Sequence, residues 1–160
     1  MNGRCPTCGA WHDKSEVKIG KQVWTAQNLA VKVPGSWAYN DDEKNVPIYG
    51  RLYTWDAAIK AAPEGWHLPT DKEWSVLVDY YGGYKVAGER FKNGPFNALL
   101  SGYRSFDGSF NAMGSSAYFW SSSQYDATYA WFRYVFGGYT EVYRYSLNKT
   151  NGFCVRCVKD

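Results

Sequence analysis

Eight tryptophans and fourteen tyrosines stand in 160 residues beside only two methionines, more aromatic side chain than one small core encloses. Trp and Tyr join a rigid apolar body to a polar tip, so the surplus belongs where one side of a ring packs and the other meets water or a ligand. The plainer alternative is a loop-rich β protein whose core is simply aromatic. Position along the chain has to separate the two.

Regular structure is expected from Glu16. A short run to Gly20 and a second, Gln22 to Ala26, form a hairpin, and turn signals at Pro34-Gly35, Asn40-Asp41-Asp42 and Asn45-Val46-Pro47 then dominate to about Tyr49. Two helices follow. The first covers about Tyr53 to Ala61, with Trp55, Ala58 and Ile59 on its buried face and Pro63 closing it. The second starts at a capping box, Thr70 with Glu73, places Trp74, Leu77, Val78 and Tyr81 on one stripe, and stops at Gly82-Gly83. From about Gly94 the chain breaks into short runs, with strands expected at Ala117–Ser121, Tyr129–Phe136, Glu141–Ser146 and Gly152–Val158. This order predicts an α+β domain, two helices against an irregular antiparallel sheet. Residues 1–15 are expected to form a separate Cys-knuckle segment, and 16–160 the domain.

Length alone predicts a single core that needs neither metal nor disulfide. With 21% charged residues and a net charge of +3, no nucleic-acid partner is expected. No apolar stretch approaches the roughly 20 residues that span a bilayer, so no membrane insertion is expected. The opening Met1-Asn2-Gly3-Arg4-Cys5-Pro6 has no signal-peptide h-region. The expectation is synthesis on the cytosolic side, with virion association as the route outward. The alternative is the cell surface, behind a leader trimmed upstream.

Several ordered motifs resemble a known family. Gly65-Trp66-His67-Leu68-Pro69-Thr70 followed by Glu73-Trp74 is similar to an element of formylglycine-generating-enzyme-like proteins. Val23-Trp24-Thr25-Ala26-Gln27-Asn28-Leu29, Tyr49 to Trp55, Gly102-Tyr103-Arg104, Asp107-Gly108-Ser109-Phe110, Phe119-Trp120-Ser121-Ser122 and Gly152 to Val158 resemble the Fibrobacter succinogenes major paralogous domain. The resemblance covers about residues 16 to 160. It implies a C-type-lectin-like fold with paired terminal strands, and it does not by itself imply an activity. It also implies export and cysteines near Ala38, Val46 and Ala62, where this chain has none.

All four cysteines fall in two C-x-x-C pairs, Cys5/Cys8 and Cys154/Cys157. Adjacent termini would let all four hold a structural zinc, with His12 as a replacement for Cys157. Residues three apart on a regular strand face opposite ways, however, so disulfides and inert thiols stay open as alternatives. Neither pair opens a helix after a strand, which disfavours a redox role. His67 is expected to be a core or turn histidine, the Asp41-Asp42-Glu43 run an exposed turn rather than a calcium site, and no catalytic residue is assigned.

Between Tyr118 and Tyr145 lie seven tyrosines and two tryptophans, the composition of a paratope. Alternation in Tyr129–Phe136 puts Ala130, Phe132 and Tyr134 on one face and Tyr129, Trp131, Arg133 and Val135 on the other. The expected ligand contacts are Gln124, Tyr125, Asp126, Thr128, Tyr129, Trp131, Arg133, Tyr139, Tyr143, Tyr145 and Asn148. The same fold serves as a variable binder in diversity-generating retroelements, and Gln124, Tyr125, Asp126, Thr128, Tyr139, Asn148 and Thr150 would suit such variable positions. The function expected is therefore a ligand-binding module of adhesin or receptor-binding type, contacting a protein or glycan on a cell surface, and not an enzyme. Two alternatives accompany it: an enzyme of the formylglycine-generating or sulfoxide-synthase type, and a structural domain of a surface assembly.

Overall fold

The computed structural model describes residues 16–160. In chain order they form β1 (Glu16–Ile19), β2 (Gln22–Thr25), β3 (Ser36–Trp37), α1 (Val46–Tyr49), β4 (Leu52–Tyr53), α2 (Trp55–Ala61), β5 (Trp66–His67), α3 (Asp71–Tyr80), α4 (Ala87–Asn93), β6 (Ser101–Arg104), β7 (Phe110–Met113), β8 (Ser116–Gln124), β9 (Tyr129–Phe136), β10 (Tyr143–Asn148) and β11 (Val158–Lys159). The class is α+β.

The strands make a four-stranded sheet ordered β1-β2-β11-β5, a five-stranded sheet ordered β10-β9-β8-β6-β7, and the pair β3-β4. Val158 pairs with Trp24, so the last strand, β11, lies beside β2, the second strand of the N-terminal hairpin, and not beside β1. No helix among the described residues is long and apolar enough to cross a membrane.

Local signals set the helices where they are strongest. Thr70 Oγ1 accepts from Glu73 N at 3.1 Å and Glu73 Oε1 accepts from Thr70 N at 3.0 Å, the reciprocal capping box that starts α3. Thr54 caps α2 from one side only, accepting from Ala57 N. Trp74, Leu77 and Val78 are buried as their spacing predicts, whereas on α2 the buried residues are Ala57, Ala58 and Ala61, and Ile59 faces outward.

The C-terminal half departs from expectation: β6 and β7 are strands the sequence does not mark, β6 runs parallel to β8 in an otherwise antiparallel sheet, and two of the expected strands are placed differently. The strand expected at Glu141–Ser146 runs instead over Tyr143–Asn148, because Val142 N donates to Tyr84 O and Gly88 N donates to Thr140 O, both at 2.7 Å. These bonds draw residues 140–142 onto the start of α4 and away from β9. The strand expected at Gly152–Val158 is broken into single bridges, Gly152 to Arg104, Phe153 to Tyr53 and Cys154 to Phe119, before β11 begins.

Two core clusters occupy opposite sides of the five-stranded sheet. Phe119 joins Trp24, Trp74, Phe91 and Phe96 on the side of α3 and α4, while its neighbour Trp120 joins Tyr53, Phe132, Phe153 and Val155 on the other. Consecutive strand residues point to opposite faces, so β8 seeds both clusters at once. The aromatic surplus divides by type. The fully buried rings are mostly Trp and Phe, and of the fourteen tyrosines only Tyr39 and Tyr53 are buried. The core is aromatic, and the tyrosines are left over for its surface.

Candidate functional site

The register of the five-stranded sheet lines up tyrosines from four strands. Tyr143 of β10 is opposite Tyr134 of β9, and Tyr134 is opposite Tyr118 of β8. Their rings stack, Tyr118 on Tyr134 at 5.4 Å and 12°, Tyr134 on Tyr143 at 5.0 Å and 20°. Tyr103 of β6 meets Tyr118 edge-on at 4.7 Å, and Phe136 and Tyr139 extend the row past Tyr143. Phe132 and Phe153 support it from below, packing against Tyr118 at 6.0 and 5.4 Å.

Rings that stack on one another spend their faces on their neighbours and leave edges and hydroxyls to the outside. The row is accordingly half-buried, with Tyr145 and Tyr139 more open, 59% and 58% exposed. Burial first, and neighbouring phenols second, push the Tyr103 and Tyr134 hydroxyls above their ordinary pKa. Both therefore stay neutral donors and acceptors at physiological pH. The surface is a ridge of aromatic edges with phenol tips, suited to ligands that offer both apolar patches and hydrogen-bonding groups.

The expected contact residues do not share one surface. Tyr143 and Tyr145 lie on the tyrosine-row face, and Tyr139 lies at the end of the row. Tyr129, Trp131, Arg133 and Asn148 point to the opposite face, that of α3. There Arg133 is buried, donating to Asp71 Oδ1, Asp71 O and Ser75 Oγ, so its expected contact role gives way to an internal ion pair. Asp71 also receives Arg144 bidentately at 2.9 to 3.0 Å, and the Arg144 guanidinium lies 3.6 Å above Trp131, whose ring meets Tyr125 edge-on. Gln124, Tyr125, Asp126 and Thr128 form the β8–β9 tip. Lys149 joins this tip to the turn holding Asn148 and Thr150, through Gln124 Oε1 at 2.9 Å and Ala127 O at 3.1 Å.

Tyr103, Tyr118, Tyr134 and Phe136 belong to the row but not to the expected contacts. Alternation along β9 marks Tyr134 as sharing a face with Phe132, but only the pairing of β6, β8, β9 and β10 assembles the row.

Of the expected zinc ligands only Cys154 and Cys157 lie among the described residues; Cys5, Cys8 and His12 lie outside them. Cys154 and Cys157 are both fully buried and belong to different core clusters, which separates the two ligands that one ion would have to share. Cys154 Sγ lies 2.8 Å from Ser101 Oγ. Burial pushes its thiol up to about 11 against the opposing Ser101 hydrogen bond and Arg156 charge, and pushes Cys157 up to about 12. Metal binding and nucleophilic attack both need the thiolate.

His67 is not a core histidine. It is part-exposed between two carboxylates, Nδ1 to Asp160 at 2.6 Å and Nε2 to Glu73 at 2.9 Å. In the acidic turn, Asp42 accepts from Lys44 N and Glu43 chelates the buried Arg51 guanidinium at 3.0 Å.

Comparison with curated proteins and with solved structures gives no match. Residues 17–159, nearly all of the described chain, match the family of the Fibrobacter succinogenes major domain, and the chain belongs to that family.

Proposed function

We propose that this chain is a ligand-binding module with a C-type-lectin-like fold, and that it contacts a protein or glycan on a cell surface through the tyrosine row and the loops at its ends. The observation that carries the reading is the alignment of Tyr103, Tyr118, Tyr134 and Tyr143 across four strands. Rigid amphipathic rings lose little conformational entropy on binding, and small polar residues at the loop tips supply adaptable hydrogen bonds. The pairing of β11 with the N-terminal hairpin, and helices placed ahead of an irregular sheet, support the lectin-like arrangement. The buried, protonated thiols of Cys154 and Cys157 favour a binder over an enzyme that works through a thiol pair. The tip that joins Gln124, Asp126 and Thr128 to Asn148 and Thr150 is where a diversified binder would vary.

The test is a screen of the purified chain against arrayed glycans and cell-surface proteins, repeated with Tyr143→Ala and Tyr145→Ala. A partner whose affinity falls tenfold or more in these variants, the scale of an interface hot spot, supports the reading. Partners bound equally by parent and variants would overturn it for this surface. Light scattering of the same samples identifies the case in which the partner is a second copy of the chain.

A further inference from the structure

The Gly102-Tyr103-Arg104 and Asp107-Gly108-Ser109-Phe110 motifs contribute only Tyr103 to the tyrosine row. Arg104 follows Tyr103 in β6 and points to the other face of the strand. Its guanidinium carbon lies 3.8 Å from the Trp37 ring centroid and 5.9 Å from that of Phe110. Its stem rests on Gly152, where a Cβ would come within 3.0 Å of Arg104 Cβ. Packing from three segments therefore fixes the side chain.

What the packing does not supply is an acceptor. Arg51, Arg133, Arg144 and Arg156 each donate to protein oxygens. Arg104 has no acceptor and no ion-pair partner among the described residues, and its Nε is buried without one. The nearest acid in sequence, Asp107, is turned away, its Oδ1 accepting from Ser109 N at 2.9 Å and Ser109 Oγ at 2.7 Å. The loop is closed on itself by Ser105 N to Ser109 O at 2.7 Å and Gly108 N to Ser105 O at 2.9 Å. A Cβ at Gly108 would stand 3.3 Å from Arg104 Nη2, at a backbone φ of +92° that suits glycine. Glycine thus leaves the terminal nitrogens uncovered. Phe106, its amide held by Asn151 Oδ1, is 71% exposed on the same loop.

We propose that Arg104 is the anchor of a second binding site, one for an organic carboxylate. The two terminal nitrogens form the planar fork that fits a carboxylate, Trp37 holds the guanidinium face, and Phe106 receives the apolar group next to the acid. A stacked, pre-positioned fork loses little entropy on binding, and charge-assisted paired hydrogen bonds are the strong class. This site is independent of the tyrosine row, and its failure would leave that reading intact.

The experiment titrates the labelled protein with phenylacetate, acetate and the neutral phenylacetamide at fixed ionic strength, following the Trp37 indole N–H by NMR. Expected are a saturable shift with phenylacetate, weaker binding of acetate and no response to phenylacetamide. Arg104→Gln abolishes the response. Arg104→Lys, which keeps the charge and loses the fork, weakens it about tenfold or more, the loss of one charge-assisted hydrogen bond. Phe106→Ala weakens phenylacetate and leaves acetate unchanged, and it keeps the proposal testable should Arg104→Gln fail to fold. Equal responses to phenylacetate and phenylacetamide, no saturation with either acid, or unaltered binding in Arg104→Gln would overturn it.

Discussion

Tyr134 stacks on Tyr143 at 5.0 Å with the ring planes 20° apart, each ring projecting from directly opposite positions of β9 and β10. Cross-strand pairs of this kind couple the strands beyond the area each ring buries. A double-mutant cycle of Tyr134→Leu and Tyr143→Leu, read by urea unfolding, is expected to give an interaction energy of about 0.5–1.5 kcal/mol. Independent contributions that simply add would mean the rings cover the sheet one by one and do not form a row.

How much of this was legible depends on how far apart the partners lie. The α3 capping box needs only Thr70 and Glu73, three residues apart, and its start is readable from sequence. The strand Tyr129–Phe136 follows from local alternation and appears with the same bounds. The tyrosine row requires the register of four strands, with Tyr103 and Tyr143 brought together from either side of β8 and β9, and no local signal carries that. Arg133 shows the same limit: alternation assigns its face, but its burial depends on Asp71, on a helix laid across that face. α4 has no side-chain cap. Part of its support is the close fit of Gly88 against the chain near Thr140, where a Cβ would meet Glu141 O at 2.5 Å, so it leaves no periodic trace.

Among the described residues Asp71 is the only carboxylate paired with Arg133, whose side chain is just 4% exposed. Asp71→Asn is expected to cost about 3 kcal/mol, the low end for breaking a buried pair because Asp71 is itself partly in solvent. Arg144→Ala, at the exposed end of the same network, should cost about 1 kcal/mol or less. Burial raises the Asp71 pKa, but the hydrogen bonds from Arg144 and Arg133 outweigh it and hold the carboxyl below its ordinary value. Its stabilisation is therefore present above about pH 4 and lost as pH falls through the folded pKa. Acid titration of stability should be flatter in Asp71→Asn than in the parent, and identical acid profiles would remove Asp71 from this role.

His67 carries the opposite sign. Burial lowers its pKa, but the hydrogen bonds to Asp160 and then Glu73, with the charges of both, raise it above the ordinary 6.5. A group raised on folding contributes stability that is full below about pH 6.5 and disappears as pH rises through the folded value. Chemical unfolding at pH 6 and pH 8 should show the parent losing on the order of 1 kcal/mol or less, reduced by solvent and by added salt. His67→Gln should lose nothing over the same interval. A parent whose stability is unchanged between these pH values would show that the imidazole is not charged in the fold.

Arg156 is the most demanding buried group in the domain. It is 1% exposed and has no carboxylate partner among the described residues. Its guanidinium donates to Asn28 Oδ1 at 2.7 Å, Thr25 O at 3.1 Å, Phe96 O at 2.7 Å and Asn97 O at 3.0 Å, with Phe96 beneath it at 4.5 Å. Burial pulls its pKa down to about 10, which leaves it charged at neutral pH. One side chain thus satisfies acceptors from the end of β2, the segment after it and the segment before β6, and ties them to the C-terminal run. Arg156→Met preserves much of the volume and strips four acceptors of their donor, at about 1–3 kcal/mol for each that stays buried. The expected loss is about 4 kcal/mol or more, a large share of the 5–15 kcal/mol typical of a domain. Arg156→Lys keeps the charge but brings three donors in place of five and no planar fork, so its melting temperature should fall between those of parent and Arg156→Met. An Arg156→Met variant within 1 kcal/mol of the parent would show that these carbonyls find water or new partners, and that the arginine does not hold the segments together.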